Sequence, residues 1–177
     1  METSNKLTIP AFGKSPAKSF DLSKTKEAED RLHEAKSVNP TTYSELEFVF
    51  NESFRELKKV LADTGYQITI AEKSLKAAKA EALLDKYPDF LNEQIKKYPE
   101  DMRKKIKDID NSHTREAFIN RDVEVISAID RISMLTALQA VFEGKIQTMI
   151  RTCGYLKTEM QLVIRSGSIN SNKYGTM

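Results

Sequence analysis

From Phe50 to Ala82 the apolar side chains fall at Phe50, Phe54, Leu57, Leu61, Thr64, Ile68, Ala71, Leu75, Ala78 and Ala82, in alternating steps of four and three. A seam kept in that rhythm over four heptads is the period of a helix packed along its length, and it is incompatible with the period of two that a half-buried strand needs. Helix-forming Lys, Ala, Glu and Leu fill the other positions after Ile70. Pro40, Thr41 and Thr42 supply a start signal, and Pro88 disfavours helical geometry in the residue before it, so the helix is expected over 42–87. Gly65 and the β-branched run Ile68 to Ile70 are its weak point. The seam narrows from Phe and Leu to Ala along its length, which allows a closer helix approach in the second half.

A second long helix is predicted over 120–165, with Val125, Ile129, Ile132, Leu135, Leu138, Phe142, Ile146, Met149, Cys153, Leu156, Met160 and Val163 on its apolar side. The run of threes around Leu135 shifts the seam. Gly144 and Gly154 cost stability inside it unless another backbone packs close. Between the helices, Pro88 and Pro99 bracket a short helix, Glu100 to Asp110 is highly charged, Asn111-Ser112 breaks the pattern, and Thr114 can cap a new turn. The fold class is therefore all-α, a long helical hairpin or coiled-coil-like bundle. A hairpin is thin, and each helix is apolar on one face only. Phe50, Phe54, Leu57 and Leu61 are accordingly expected to face other helices, within a copy or between copies, and are assigned to the contacts of a discrete homo-oligomer.

The 177 residues suit one domain. Residues 1–40 hold three of the five prolines with many Ser, Thr and Lys, and their apolar residues follow no period. They read as a flexible arm, removable without unfolding the body, with weak helix potential over 21–37 and an apolar cluster at Leu7 to Phe12. The helical domain spans 41–165, and 166–177 reads as a polar, disordered tail. One cysteine, no signal-peptide pattern and no apolar run of membrane-spanning length place the chain in the cytoplasm, away from a membrane.

Little in the chain suggests catalysis. Gly13-Lys14-Ser15 resembles the end of a phosphate-binding loop, but the first glycine of that motif falls on Thr8, and Pro16 stands where its helix must begin. His33 and His113 lie far apart with no paired-ligand spacing, so no metal site is expected. Cys153 sits on the apolar side of the last helix as a small hydrophobe. No catalytic residue and no cofactor is assigned, and the chain is expected to act by binding.

The net charge of +2 does not announce a nucleic-acid binder, so any such site must be a local patch. Lys73, Lys76, Lys79 and Lys86 fall on one broad arc of the first helix, beside the seam. Lys96, Lys97, Arg103, Lys104, Lys105 and Lys107 crowd the connector, with Tyr87, Phe90 and Tyr98 interleaved. Cations with aromatics suit single-stranded nucleic acid, the phosphates meeting Lys and Arg and the bases stacking on rings. The competing reading is a solvated helix surface with its aromatics turned inward. The residues assigned to single-stranded DNA or RNA are Lys76, Lys79, Lys96, Lys97, Arg103, Lys104 and Lys105.

The run Lys79-Ala80-Glu81-Ala82-Leu83-Leu84-Asp85-Lys86-Tyr87 resembles the Lys-Ala…Leu-Asp-x-Tyr stretch of UvsY-type recombination mediators of T-even-like phages. The charged connector, Asp122-Val123-Glu124-Val125 and the long last helix follow in the order expected there, so the resemblance covers roughly residues 70–165. It implies a helical homo-oligomer that binds single-stranded DNA and helps load a RecA-like recombinase onto strands covered by a single-strand-binding protein. Lys79 matches the family's DNA-contacting lysine when the Lys-Ala pairs are superposed. The basic residue two places on is Glu81 here, a departure that moves weight to the connector. The alternative from the residues alone is a helical phage assembly, scaffold or adaptor protein acting through protein contacts.

Overall fold

The structure is a computed structural model of the chain; it describes residues 5–13, 15–36, 38–97 and 110–173, with backbone only at 40–41 and 167–173. The chain is predominantly α-helical, with one small antiparallel sheet among the described residues. In chain order it forms β1 (Lys6–Ile9), β2 (Lys18–Asp21), α1 (Ser23–Asp30), a 3₁₀ turn (Leu32–Lys36), α2 (Pro40–Glu81), one stretch of π-helix (Ala82–Lys86), α3 (Tyr87–Lys96), α4 (Ser112–Ile119) and α5 (Val123–Lys173). Two compact units divide it: Met1–Ala11, Pro16–Thr64 and Leu138–Met177 form the first, and Phe12–Ser15 with Gly65–Ala137 the second.

The first unit holds an apolar core cluster. Leu46, Val49, Phe50, Leu57 and Val60 of α2 are buried with Phe142, Ile146, Met149 and Leu156 of α5. Phe50, Leu57, Phe142, Ile146, Met149 and Leu156 lie on the sequence-predicted seams, whereas Leu46, Val49 and Val60 were not placed on them. Phe50 and Leu57 are fully buried within one copy, and Phe54 and Leu61 pack against the same cluster. Phe50 and Leu57 thus face helices within one copy, one of the two arrangements expected for these side chains.

The segment read as a flexible arm differs from that expectation. Ala28, Ala35 and Val38 belong to the same buried cluster, with Leu7, Phe20, Leu22 and Leu32 packed around it. Lys6 to Ile9 pair in register with Asp21 to Lys18. Gly13, at φ +54°, provides the positive φ of the tight turn in which Phe12 and Ser15 exchange backbone hydrogen bonds of 2.9 Å. The Gly-Lys-Ser triplet thus begins in a hairpin turn. Glu56 of α2 takes over the start of α1, accepting from the Lys24 and Thr25 backbone N–H at 3.2 and 2.8 Å and from the Thr25 hydroxyl at 2.9 Å. Ion pairs Lys18–Asp63, Lys145–Glu29 and Arg31–Glu45 add further ties. These partners lie far along the chain, so no local periodicity announces them.

Helix α2 begins with Pro40 in its first turn, where a missing N–H costs nothing, and the Asn39 side chain caps it by accepting from Thr42 N–H at 3.0 Å. It runs unbroken through Gly65. Its expected end at Tyr87 is replaced by a π-helical stretch over Ala82–Lys86 that leads directly into α3, with Pro88 in the first turn. Widening the helix by one residue relieves the clash between the proline ring and the preceding turn, so the chain continues where a stop was predicted. Helix α5 likewise runs to Lys173, past the boundary expected at Arg165. The Ser166 hydroxyl donates to the Val163 carbonyl at 2.9 Å, and no proline interrupts the serine-rich stretch.

By length and composition Val123–Ser166 could cross a membrane, with mean hydropathy 1.4 over its best 18 residues. That modifies the expectation of no such stretch. Phe142 to Leu156 on one side of this helix are committed to the first unit's core.

Candidate nucleic-acid interface

The second unit carries the basic residues singled out in the sequence. Its α2 half buries Ala71 and Ala78, the π-helical stretch buries Ala82, and its α5 half buries Val125, Ala128 and Leu135. The small residues are the narrowed seam. Gln67 and Arg131 are also buried there, and the guanidinium donates to the Gln67 side-chain oxygen at 2.7 Å. Burying the alanine seam of α2 turns the other side outward, leaving Lys73, Lys76 and Lys79 exposed. At the end of α3, Lys96 and Lys97 are exposed too. None of these five makes an ion pair with another described residue. Arg103, Lys104 and Lys105, with Tyr98, lie outside the described residues.

Lys86 is taken off the basic arc. Its ammonium donates to Asp122 at 2.9 Å and to Glu124 at 3.4 Å, with Glu81 at 3.8 Å. Asp122 also caps α5, accepting from the Glu124 and Val125 N–H at 2.9 and 3.3 Å. The Lys86 hydrogen bond, followed by those of the cap, holds the Asp122 carboxyl below the usual carboxylate range.

The aromatics divide into two roles. Tyr87 is buried; its hydroxyl donates to Asp110 at 3.0 Å, and burial pushes its pKa up. It satisfies the inward-facing alternative. Phe90 and Phe118 are half-buried, their ring centroids 4.9 Å apart, and Tyr87 meets the Phe118 ring edge-on at 5.4 Å. Asn111, rather than Thr114, caps α4, accepting from the Thr114 N–H at 2.9 Å. Phe118 and Arg121 were not singled out in the sequence. A lone Phe and a lone Arg on a short helix and its exit carry no spacing signal, and the tertiary pairing with Phe90 is what gives them a role.

Asp110 is gripped by Arg115, whose Nε and Nη2 donate at 2.7 and 2.8 Å. Those hydrogen bonds, against burial, hold its carboxyl below the ordinary 3.8. A depressed carboxyl contributes stability above its unfolded pKa and loses it as pH falls through its folded one. The urea midpoint should thus hold steady down to about pH 5 and then fall. Asp110→Asn should lower it at neutral pH and flatten the acid slope; an unchanged slope would show that this tie carries no weight.

Beside the two Phe rings lies a cavity of about 450 Å³, rimmed by Ala117, Arg121 and Val123. Among the described residues no group of three or more His, Cys, Asp or Glu is placed to hold a metal ion. Cys153, in the first unit, packs against the core, and burial pushes its thiol pKa up. Comparison with protein-family models, with curated proteins and with solved structures gives no match.

Proposed function

We propose that the protein is an oligomeric single-stranded-DNA-binding recombination mediator, acting in the cytoplasm by binding and without catalysis of its own. The observation that carries this reading is the row Lys73, Lys76 and Lys79, exposed on α2 and free of ion pairs with other described residues, while Lys86 and Arg115 are neutralised by carboxylates. Such lysines gain most from phosphates, because binding releases condensed counterions without first breaking an internal pair. The likeness of Lys79 to Tyr87 to UvsY-type mediators supports the same reading. Its partners would then be a RecA-like recombinase, a single-strand-binding protein and further copies of the chain.

Labelled single-stranded DNA, followed by fluorescence anisotropy at two salt concentrations, tests it. Affinity should fall steeply with salt and show little sequence preference. Reversing Lys76 and Lys79 to Glu should weaken binding and lower the salt slope by about 1 for each phosphate that no longer meets a lysine. The same reversal at Lys104 and Lys105 measures the connector's share. No binding by the wild-type protein at low salt defeats the proposal.

A second reading, a helical scaffold or adaptor, is favoured by one observation. Val141, Ile150, Tyr155 and Leu162 of α5 are large apolar residues left about half exposed or more, a surface suited to protein contact.

A further inference from the structure

We infer that the cavity beside Phe90 and Phe118 receives one unstacked base of a bound strand, with Arg121 meeting an adjacent phosphate. This rests on the single-stranded-DNA reading and adds to it a site for the base. The cavity, about 450 Å³, lies within the size range of small-molecule sites and exceeds what one base needs. Its wall is largely apolar: Phe90 from α3, Ala117 and Phe118 from α4, and Val123, 78% exposed at the start of α5. The two rings are held from behind, because Tyr87 packs against both and is itself anchored to Asp110. Rings fixed in this way offer a stacking surface whose ordering cost is already met by the fold.

The charges around the cavity select the ligand. Among the described residues three cations belong to this region, Lys86, Arg115 and Arg121. Lys86 is committed to Asp122, and Arg115 to both oxygens of Asp110. Arg121 is exposed at the cavity rim and pairs with no acidic group among the described residues. The Asp122 carboxylate also borders the cavity, but it already accepts from Lys86 and from two backbone N–H groups. What remains is a largely apolar cavity beside two rings, with the Arg121 charge, unpaired among the described residues, at its edge. A base with its phosphate fits that combination. The exposed lysines of the same unit favour a strand over a free nucleotide, because a strand engages both features at once.

The test compares a normal oligonucleotide with one of equal length whose bases are replaced throughout by abasic residues. Wild-type protein should bind the abasic strand more weakly, by roughly five- to 150-fold. Ala117→Phe, which fills the cavity, should bind both strands equally, at the abasic level, with circular dichroism checking its fold. Phe90→Leu keeps the apolar bulk but removes a ring, and should narrow the gap without loss of helix. Arg121→Gln should weaken both strands and lower the salt slope by about 1. A mononucleotide should compete poorly; one that binds as tightly as the strand overturns the strand as occupant. Equal binding of both strands by the wild type overturns the base site while leaving phosphate binding intact. A gap that survives both Ala117→Phe and Phe90→Leu places base contacts elsewhere and also overturns it. Failure to bind either strand removes the single-stranded-DNA reading itself.

Discussion

Deleting residues 1–36 is expected to lower the melting temperature sharply and leave a protein that exposes its core. The deletion strips Ile9, Ala28 and Ala35, each about 1% exposed or less, together with the packed Leu7, Phe20, Leu22 and Leu32. It uncovers one flank of the cluster around Phe50 and Leu57. It also takes partners from four charged groups of the remaining body, since Glu56 loses three donors, Asp63 loses Lys18, Lys145 loses Glu29 and Glu45 loses Arg31. A typical domain is stable by only about 5–15 kcal/mol. Several buried aliphatic and aromatic groups at about 0.8 kcal/mol per methylene are a large share of that. Thermal melting followed by far-ultraviolet circular dichroism measures the destabilisation. A truncated protein with an unaltered transition would return the segment to the status of a removable arm.

Phe50→Ala should cost about 3–5 kcal/mol and Leu57→Ala about 2–5 kcal/mol, because each leaves a cavity in a close-packed cluster. Both side chains are fully buried within a single copy. The effect should therefore appear as a lower urea midpoint, with the particle mass from light scattering unchanged in the folded range. Dissociation of an oligomer at constant midpoint would instead mean that these side chains pair between copies. An oligomer in which they play no part has a surface on α5, where Val141, Tyr155 and Leu162 stand more than half exposed.

The sequence by itself determined the helical class and most of the two long seams, although Ile129, placed on the second seam, stands 39% exposed while Arg131 is buried. Phe50, Leu57, Ala71 and Ala78 on α2, Ala82 in the π-helical stretch, and Leu135, Phe142, Met149 and Leu156 on α5 are buried as their spacing required. A period of three and four is a property of neighbouring residues on one helix, so it can be read without knowing the fold. The exposure of Lys73, Lys76 and Lys79 follows for the same reason: once the alanine seam is buried, they cannot be.

Tertiary structure alone decided the rest. The N-terminal 36 residues lack periodicity because their order comes from distant partners, such as Glu56 at the start of α1 and the core that receives Ala28 and Ala35. Pro88 ends a helix by local rules, yet a π-helical stretch absorbs it. Lys86 looks like its neighbouring lysines until Asp122, 36 residues on, claims its charge. Phe118 on α4 meets the Phe90 ring, and Arg121 just past α4 lines the same cavity, only through the tertiary fold. Helical period is short-range information, whereas pairing of charges, rings and cavity walls depends on which distant segments meet, and no spacing along the chain encodes that.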